Sequence, residues 1–305
     1  MWWRALAASV GALAVLAVAG VYAASEWELR RTRMVYFDPA LKLPRSTDDA
    51  EAKRQAILIG CWEGCHGKTG EGLRLTLPGG QRLTAPNLSS VLPHYSDGEL
   101  ERLLRYGVRK DGSTALMMPA DTFYPMGEAQ IGAIADFLRR QPATEGPKHE
   151  RSLSLVTRWQ VLQGEFPLSA DEVDPKAPRW GELPQRNAFE RGRALASTVC
   201  AECHGRDFKG DPWDGGPALT VIAAYDYPQF ERLLRTGRPA GADRDLGDMG
   251  EVARAAFVHF KEEEIADLYV FLRERAGLPY DLAQVHGADD GLQPPTIAPA
   301  SRSLE

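Results

Sequence analysis

The sequence predicts an all-α protein in which two tandem helical modules follow one N-terminal membrane-spanning helix. Three observations predict this class: an uncharged apolar stretch at the N-terminus, two cysteine–histidine motifs, and helical patterns that recur behind each motif. The 305 residues, with 44% hydrophobic and 26% charged side chains, have the composition of a globular protein of about two domains. The net charge of -6 provides no basic field for a phosphate backbone, so nucleic-acid binding is not expected.

The first segment of the chain is long and apolar enough to cross a bilayer. No charged residue occurs from Ala5 to Ala24, and a helix of that length spans about the 30 Å of a hydrocarbon core. A cleaved signal peptide is the alternative, because Arg4 precedes the stretch and Val21-Tyr22-Ala23 resembles a cleavage site. The apolar run exceeds the usual signal core of about 7 to 15 residues, which favours an uncleaved anchor. We therefore assign 1–25 to a transmembrane anchor or signal and 26–48 to a linker.

The four cysteines occur in two pairs, each followed directly by histidine and glycine, at Cys61-Trp-Glu-Gly-Cys65-His66-Gly67 and Cys200-Ala-Glu-Cys203-His204-Gly205. The second is a C-x-x-C-H motif, which is typical of c-type haem attachment. Two thiols form thioethers to the haem vinyl groups, and the adjacent histidine binds the iron. The first pair is one residue wider, so its loop must bulge to reach the same two vinyl groups, and Gly60 and Gly64 give the backbone that freedom. The motifs predict two covalently bound haem c groups, with His66 and His204 as iron ligands.

The two cysteine pairs are also compatible with zinc binding or with redox chemistry. The two pairs could converge into one all-thiolate zinc site, or each could act as a redox dithiol. Neither alternative requires the histidine that follows each pair or the methionines further along the chain. Haem attachment accounts for all of these residues.

Helical patterns recur at corresponding positions behind each motif. Leu100 to Gly107 corresponds to Phe230 to Gly237, and each segment is predicted to be a short helix that ends at its glycine. Ser96 with Glu99 predicts a capping box for the first, and Asp226 predicts the start of the second. A last amphipathic helix follows in each half, with apolar residues at helical spacing: Ile131, Ile134, Ala135, Leu138 and Ile265, Leu268, Tyr269, Leu272. These matches, at offsets of about 130 to 139 residues, indicate the duplication of one module.

A sixth iron ligand is expected between the middle and last helix of each module. Met249 is the last methionine of the chain and lies in that interval in the second module. The first module offers Met117, Met118 and Met126, and Met118 is favoured because it matches Met249 in offset and precedes a proline. Thioether sulfur favours reduced iron and raises its potential, which suits an electron carrier.

Together these residues make both halves resemble class I c-type cytochrome domains. The shared pattern is a helix, the cysteine motif, a Pro-x-Leu loop, a helix, a methionine and a helix ending in Phe-Leu-Arg. The resemblance implies that the carbonyls of Pro86 and Pro217 accept a hydrogen bond from the ligating histidines. It also implies a glycine where the first and last helices cross, which Gly192 matches, whereas the first module has Lys53 or Arg54 there. The resulting domains are 49–141 and 187–281, separated by a Pro-rich linker at 142–186, parts of which could form a strand or short helix, and followed by a tail at 282–305.

The resemblance implies an electron-transfer protein rather than an enzyme. We expect a single N-terminal anchor in a bacterial cytoplasmic membrane, with periplasmic haem domains because covalent haem attachment takes place outside that membrane. The expected partners are a dehydrogenase, a quinol-oxidising complex or a terminal oxidase. Arg30, Arg31 and Arg33 would favour a cytoplasmic side for the domains, but long domains often translocate regardless of local charge. A di-haem peroxidase and an electron-transfer subunit of a larger membrane-bound complex are the alternatives.

Overall fold

The computed structural model describes residues 2–211, 215–281 and 285, and it is mainly helical. The elements of the first half are α1 (Trp2–Arg30), α2 (Asp49–Leu58), β1 (Leu73–Leu77), β2 (Gln81–Ala85), α3 (Leu88–Val91), α4 (Asp97–Tyr106), α5 (Ala120–Phe123) and α6 (Glu128–Arg139). They are followed by β3 (Arg151–Ser152), α7 (Leu155–Gln163), α8 (Ser169–Glu172), α9 (Ala188–Val199), α10 (Ala201–His204), α11 (Tyr227–Thr236), α12 (Asp248–Ala255) and α13 (Glu262–Arg275). Short 3₁₀ helices span Pro78–Gly80, Leu92–His94, Trp180–Glu182, Leu219–Ala224 and Phe257–His259. The predicted tail lies outside the described residues, apart from Val285.

α1 is one continuous helix of 29 residues, and in the part of the chain that the structure describes its most apolar 18-residue stretch contains no buried residue. At about 1.5 Å per residue it is roughly 43 Å long, so it extends beyond the thickness of a hydrocarbon core. The helix continues five residues past the predicted end of the anchor, and Ser25 and Leu29 in its last turns are buried. The segment predicted as a linker at 26–48 therefore begins inside a helix that is packed against the rest of the protein.

Two separate apolar cores lie behind the two cysteine motifs. The first module (49–141) packs α2 against α6, with Trp62 and Phe137 in a T-shaped contact at 5.3 Å between ring centroids. The second module (187–281) packs α9 against α13, with Phe189 and Phe271 at 5.2 Å. The corresponding elements of the two modules occur in the same order along the chain.

The predicted caps of the middle helices are confirmed. The Ser96 side chain accepts a hydrogen bond from the Glu99 amide, and the Glu99 carboxylate accepts one from the Ser96 amide. Asp226 caps α11 in the same reciprocal way with Gln229. Both helices end at a glycine in the left-handed conformation, with φ of 62° at Gly107 and 73° at Gly237.

Gly192 lies where α9 crosses α13, as the resemblance implied. A Cβ atom added at this position would be only 2.0 Å from the carbonyl oxygen of Asp267. The crossing in the first module uses the small side chains of Ala52 and Ala56, which are almost fully buried. Arg54, one of the two residues expected in place of the glycine, instead extends towards the second module.

Replacing Gly192 by alanine is expected to lower the stability of the second module by about 1–3 kcal/mol, because α9 must move away from α13. The measurement is a guanidinium titration followed through the haem absorption of that module. Ser197→Ala, a half-buried change on the same helix, is the matched control and should shift the midpoint little. Equal midpoints for the two variants would contradict the close approach.

The described chain is mainly helical, as predicted, but it also contains a three-stranded antiparallel sheet that an all-α fold does not include. β1 pairs with β2 in a hairpin between the first motif and Pro86, and β2 pairs with β3 through Leu83 opposite Arg151. Leucines alternate with polar residues in Leu73-Arg-Leu-Thr-Leu77 and a Pro-Gly-Gly turn follows, so a local strand signal was present. β3 carries no such signal and forms because β2 lies beside it.

The Pro-rich segment 142–186, predicted as a linker of which parts could form a strand or short helix lying on a domain, is folded onto the first module. It contains β3, α7 and α8, and its apolar side chains pack with the end of α1 and with β2 in a third cluster: Leu29, Leu83, Leu153, Val161, Phe166 and Leu168. Arg33, with a side chain only 7% exposed, lies 3.0 Å from a Glu28 carboxylate oxygen and 2.9 Å from one of Asp171. These contacts join α1, the following segment and α8 into one unit with the first module.

Polar and apolar contacts join the two modules. The Arg54 guanidinium donates to the carboxylates of Glu51 and Glu264 at 2.7 Å and to the backbone carbonyl of His259 at 3.2 Å. The Lys261 ammonium lies 3.2 Å from Glu51, and Leu58 packs into the core of the second module. Hydrogen bonding by Arg54 lowers the pKa of Glu51 to about 2, so this carboxylate is charged at neutral pH.

Arg54→Gln is expected to loosen this contact. A charge-assisted hydrogen bond contributes about 1.5–3 kcal/mol to stability. Because this site is partly exposed to solvent, we expect the loss on substitution to lie at the lower end of that range. A zero-length carbodiimide should couple Glu51 to Lys261 in the native chain, and the yield should fall at least fivefold in Arg54→Gln. Arg186→Gln, which removes an exposed pair with Glu190, is the control and should leave the yield unchanged. An undiminished yield in Arg54→Gln would show that Arg54 does not hold the modules together.

Candidate haem-binding sites

The first motif follows α2 in a tight loop that accommodates its extra residue. Gly60 has φ of +71°, and Glu63 adopts the left-handed conformation at φ +58°, which is uncommon for a residue with a side chain. The Cys65 amide donates to the Gly60 carbonyl at 2.9 Å, and a Cβ at Gly64 would lie 2.7 Å from that carbonyl oxygen. The bulge expected from the wider spacing is therefore present and includes Glu63 as well as the two glycines.

The second motif forms a regular helical turn. α9 continues through Cys200 into α10, whose last residue is His204, and the His204 amide donates to the Cys200 carbonyl at 3.0 Å. Gly205 ends the turn with φ of +74°. The C-x-x-C-H spacing thus presents its cysteines and its histidine from one turn of helix.

Each motif histidine is oriented by the proline carbonyl that the resemblance indicated. The Nδ1 atom of His66 lies 2.9 Å from the Pro86 oxygen, and that of His204 lies 2.7 Å from the Pro217 oxygen. A ring whose Nδ1 proton is donated to a carbonyl keeps its Nε2 lone pair available for a metal. Burial lowers the pKa of His66, which favours the neutral imidazole that binds iron. The role of these histidines as iron ligands remains a prediction.

The environment of the cysteines disfavours the redox-dithiol interpretation. Burial raises the pKa of Cys61 and of Cys200 to about 12. Reactive dithiols instead require a lowered thiol pKa. Cys65 and Cys203 are the more exposed members of their pairs, so each motif has one thiol towards the core and one towards the surface.

The four cysteines do not converge into a zinc site. Within residues 2–211, 215–281 and 285, no group of three or more His, Cys, Asp or Glu side chains is arranged to hold a metal ion. Each motif instead combines two thiols with one imidazole that is oriented by a proline carbonyl. This set fits a covalently attached haem.

The methionines of the first module lie in three different environments. Met118 is half-buried against the same core cluster as Cys61, whereas Met117 packs into the third cluster with φ of +56°. Met126 is 1% exposed inside the core. In the second module, Met249 is half-buried at the start of α12 and packs against the same core as Cys200. Met118 and Met249 therefore stay the preferred axial ligands, and that assignment is still a prediction.

Sequence reasoning missed the residues that bring the two motifs together. The charge of Glu202, inside the second motif, contributes to the raised pKa of both Cys61 and Cys65 in the first. Arg206, two residues after the second histidine, lies 3.8 Å from Asp121 in α5, three residues after Met118. No local pattern signals a pairing between residues so distant in the chain.

Comparison with known proteins identifies the class of the second module. Residues 189–276 match the family model of cytochrome c, from α9 to the residue after α13. The match supports a class I c-type cytochrome domain with covalently bound haem c and a haem-based role in electron transfer. A comparison with curated proteins finds no match for the chain.

Proposed function

We propose that this protein is a membrane-anchored di-haem c-type cytochrome that transfers electrons on the periplasmic side of a bacterial cytoplasmic membrane. The observation that carries the proposal is the recurrence of one histidine–proline hydrogen bond, at 2.9 and 2.7 Å, behind both cysteine motifs. Each motif also shares its core cluster with one half-buried methionine. A module that serves only as a structural support has no need of either feature.

The residues of each module have distinct roles in this proposal. Haem c, when bound, supplies the reversible one-electron chemistry of its iron. Cys61 with Cys65, and Cys200 with Cys203, would hold it covalently, and the oriented imidazoles of His66 and His204 would bind its iron. The thioether sulfurs of Met118 and Met249 would serve as the second protein ligands and would favour the reduced state. A methionine ligand in each module would favour an electron carrier over a peroxidase, which needs an iron that is accessible to peroxide.

The contact between the motifs supports electron exchange between the two modules. The pair between Arg206, just after the second motif, and Asp121, just after Met118, supports a close approach of the two attachment regions. Two redox centres held in one contact exchange electrons without diffusion of either module. The chain then acts as a short relay between an electron donor and an acceptor.

The membrane assignment rests on α1. This helix is long, uncharged over 20 residues and without a buried residue in its most apolar 18-residue stretch, and its end is built into the first module. These features support an anchor that stays attached. In this proposal the electron donor is a dehydrogenase or a quinol-oxidising complex, and the acceptor is a terminal oxidase.

The experiment that tests the function is a haem count and a spectroscopic redox titration of the purified full-length protein. We expect two haems per chain in alkaline pyridine, and two six-coordinate centres that titrate as electron carriers. One haem per chain would contradict the di-haem assignment. A five-coordinate or bis-histidine centre of low potential, together with turnover of hydrogen peroxide, would instead establish a peroxidase.

A further inference from the structure

α7 carries an apolar face that nothing in the described part of the chain covers. Leu155, Val156 and Trp159 are 39%, 69% and 52% exposed, and their spacing places them on one side of the helix. The opposite side is buried, with Thr157 and Val161 at 4% and 3% exposure. A solvent-exposed tryptophan beside two exposed aliphatic side chains marks a contact surface rather than scattered apolar residues.

α7 lies beside the last turns of α1. The Arg158 guanidinium covers the Tyr22 ring at 4.4 Å from its centroid. It also donates to the Ser25 hydroxyl at 3.0 Å and lies 3.2 Å from the Glu26 carboxylate. Arg158 adjoins Trp159 in sequence, so the apolar face is held next to the point where α1 becomes charged.

That point coincides with the expected edge of the hydrocarbon core. The uncharged stretch ends at Ala24, and its 20 residues span about 30 Å. Tyr22 and the exposed Trp27 then lie at the level of the lipid headgroups, where aromatic side chains are enriched. α7 packs directly against this part of α1, so its exposed face lies within about one helix diameter, roughly 10 Å, of the same plane.

We propose that the α7 apolar face (Leu155, Val156 and Trp159) enters the headgroup region of the bilayer that α1 crosses. The inference rests on the membrane anchoring proposed above. An amphipathic helix with aromatic and aliphatic side chains on its exposed face lies in the interface plane. A single spanning helix leaves the first module free to tilt and rotate over the membrane, and a second contact through α7 removes that freedom. The surface on which both haem motifs lie then keeps a constant orientation towards membrane-bound partners.

The test uses the full-length, haem-loaded protein in phosphatidylcholine vesicles that contain a trace of phospholipid with a diazirine near its headgroup. After illumination and proteolysis, mass spectrometry maps the lipid adducts. We expect adducts on α1 and on the peptide that contains Val156 and Trp159, and none around Val221, a 45% exposed valine of the second module. The double variant Val156→Glu, Trp159→Glu should lower labelling of α7 at least fivefold relative to α1. The control Val221→Glu should change neither, and an unchanged haem content verifies that each variant folds.

The outcomes separate this inference from the proposed function. Labelled α1 with unlabelled α7 would overturn the inference and leave the anchored cytochrome intact. An unlabelled α7 in a protein that is dimeric in detergent would assign the face to a second copy of the chain, which also overturns it. Absence of lipid adducts from both helices would refute the anchoring and the inference together.

Discussion

Replacing Cys200 and Cys203 together by serine is expected to remove one of two haems and leave the other. Serine cannot form the thioether bonds, and the attachment at the first motif uses separate cysteines on a separate core. The haem content measured in alkaline pyridine should fall by half. The complementary variant, Cys61→Ser with Cys65→Ser, should produce the same loss from the other module and serves as the matched control.

The thioether attachment of haem to the chain can be tested directly, because a covalently bound haem stays on the denatured chain. In a denaturing gel stained for haem, the native chain and both double variants should keep colour at the mass of the monomer. The second module should also lose stability without its haem, because the cofactor would lie against the apolar core that Cys200 and Met249 contact and would bury part of its surface. Release of all haem from the native chain into acidified organic solvent would refute thioether attachment.

Met249→His is expected to lower the reduction potential of one haem by about 0.1 V or more, within the roughly 0.8 V range that axial ligands span. The imidazole keeps the iron six-coordinate but removes the thioether that favours its reduced state. A weak absorption band at the red end of the visible spectrum, expected for methionine ligation in this class, should lose about half its intensity. Met118→His should shift the other haem in the same way.

The remaining methionines of the first module serve as controls in the same titration. Met117→Leu and Met126→Leu conserve volume, and such exchanges usually cost less than about 1.5 kcal/mol. Neither variant should move a potential, since Met117 packs into the third cluster and Met126 is enclosed in the core. A shift on changing Met126, with none on changing Met118, would reassign the axial ligand of the first haem.

The local features of both sites were predictable because they depend on neighbours in sequence. The capping box of Ser96 and Glu99 and the glycine that ends α4 involve residues within one helix. The cysteine spacing likewise determines the local backbone, which is a bulged loop at the first motif and a helical turn at the second. The hydrogen bonds from the two histidines to Pro86 and Pro217 were available only through family resemblance, because they close loops of 20 and 13 residues.

The sheet shows which features depend on more than a local pattern. Leucines alternate with polar residues in β1, which is typical of a strand, but the alternation does not identify the strands that pair with it. β3 is only two residues long and exists because β2 offers an unpaired edge. The many prolines of 142–186 indicate a linker and its apolar residues allow a strand or short helix, but only the fold shows that Leu153, Val161 and Phe166 pack with the end of α1. Burial of apolar surface outweighed the low helix and strand propensity of the segment.

The sequence by itself predicted the class of the cofactor and the residues expected to attach it, and it determined the helices that carry those residues and the presence of an apolar N-terminal segment. These properties depend on side-chain chemistry and on hydrogen bonds between near neighbours. The tertiary structure decided how the modules meet, through Arg54 and Glu264, which are 210 residues apart, and how α1 joins the first module, through Arg33 and Asp171. The two residues of each contact are far apart in the sequence and come together only in the folded chain, so no short stretch of sequence predicts them.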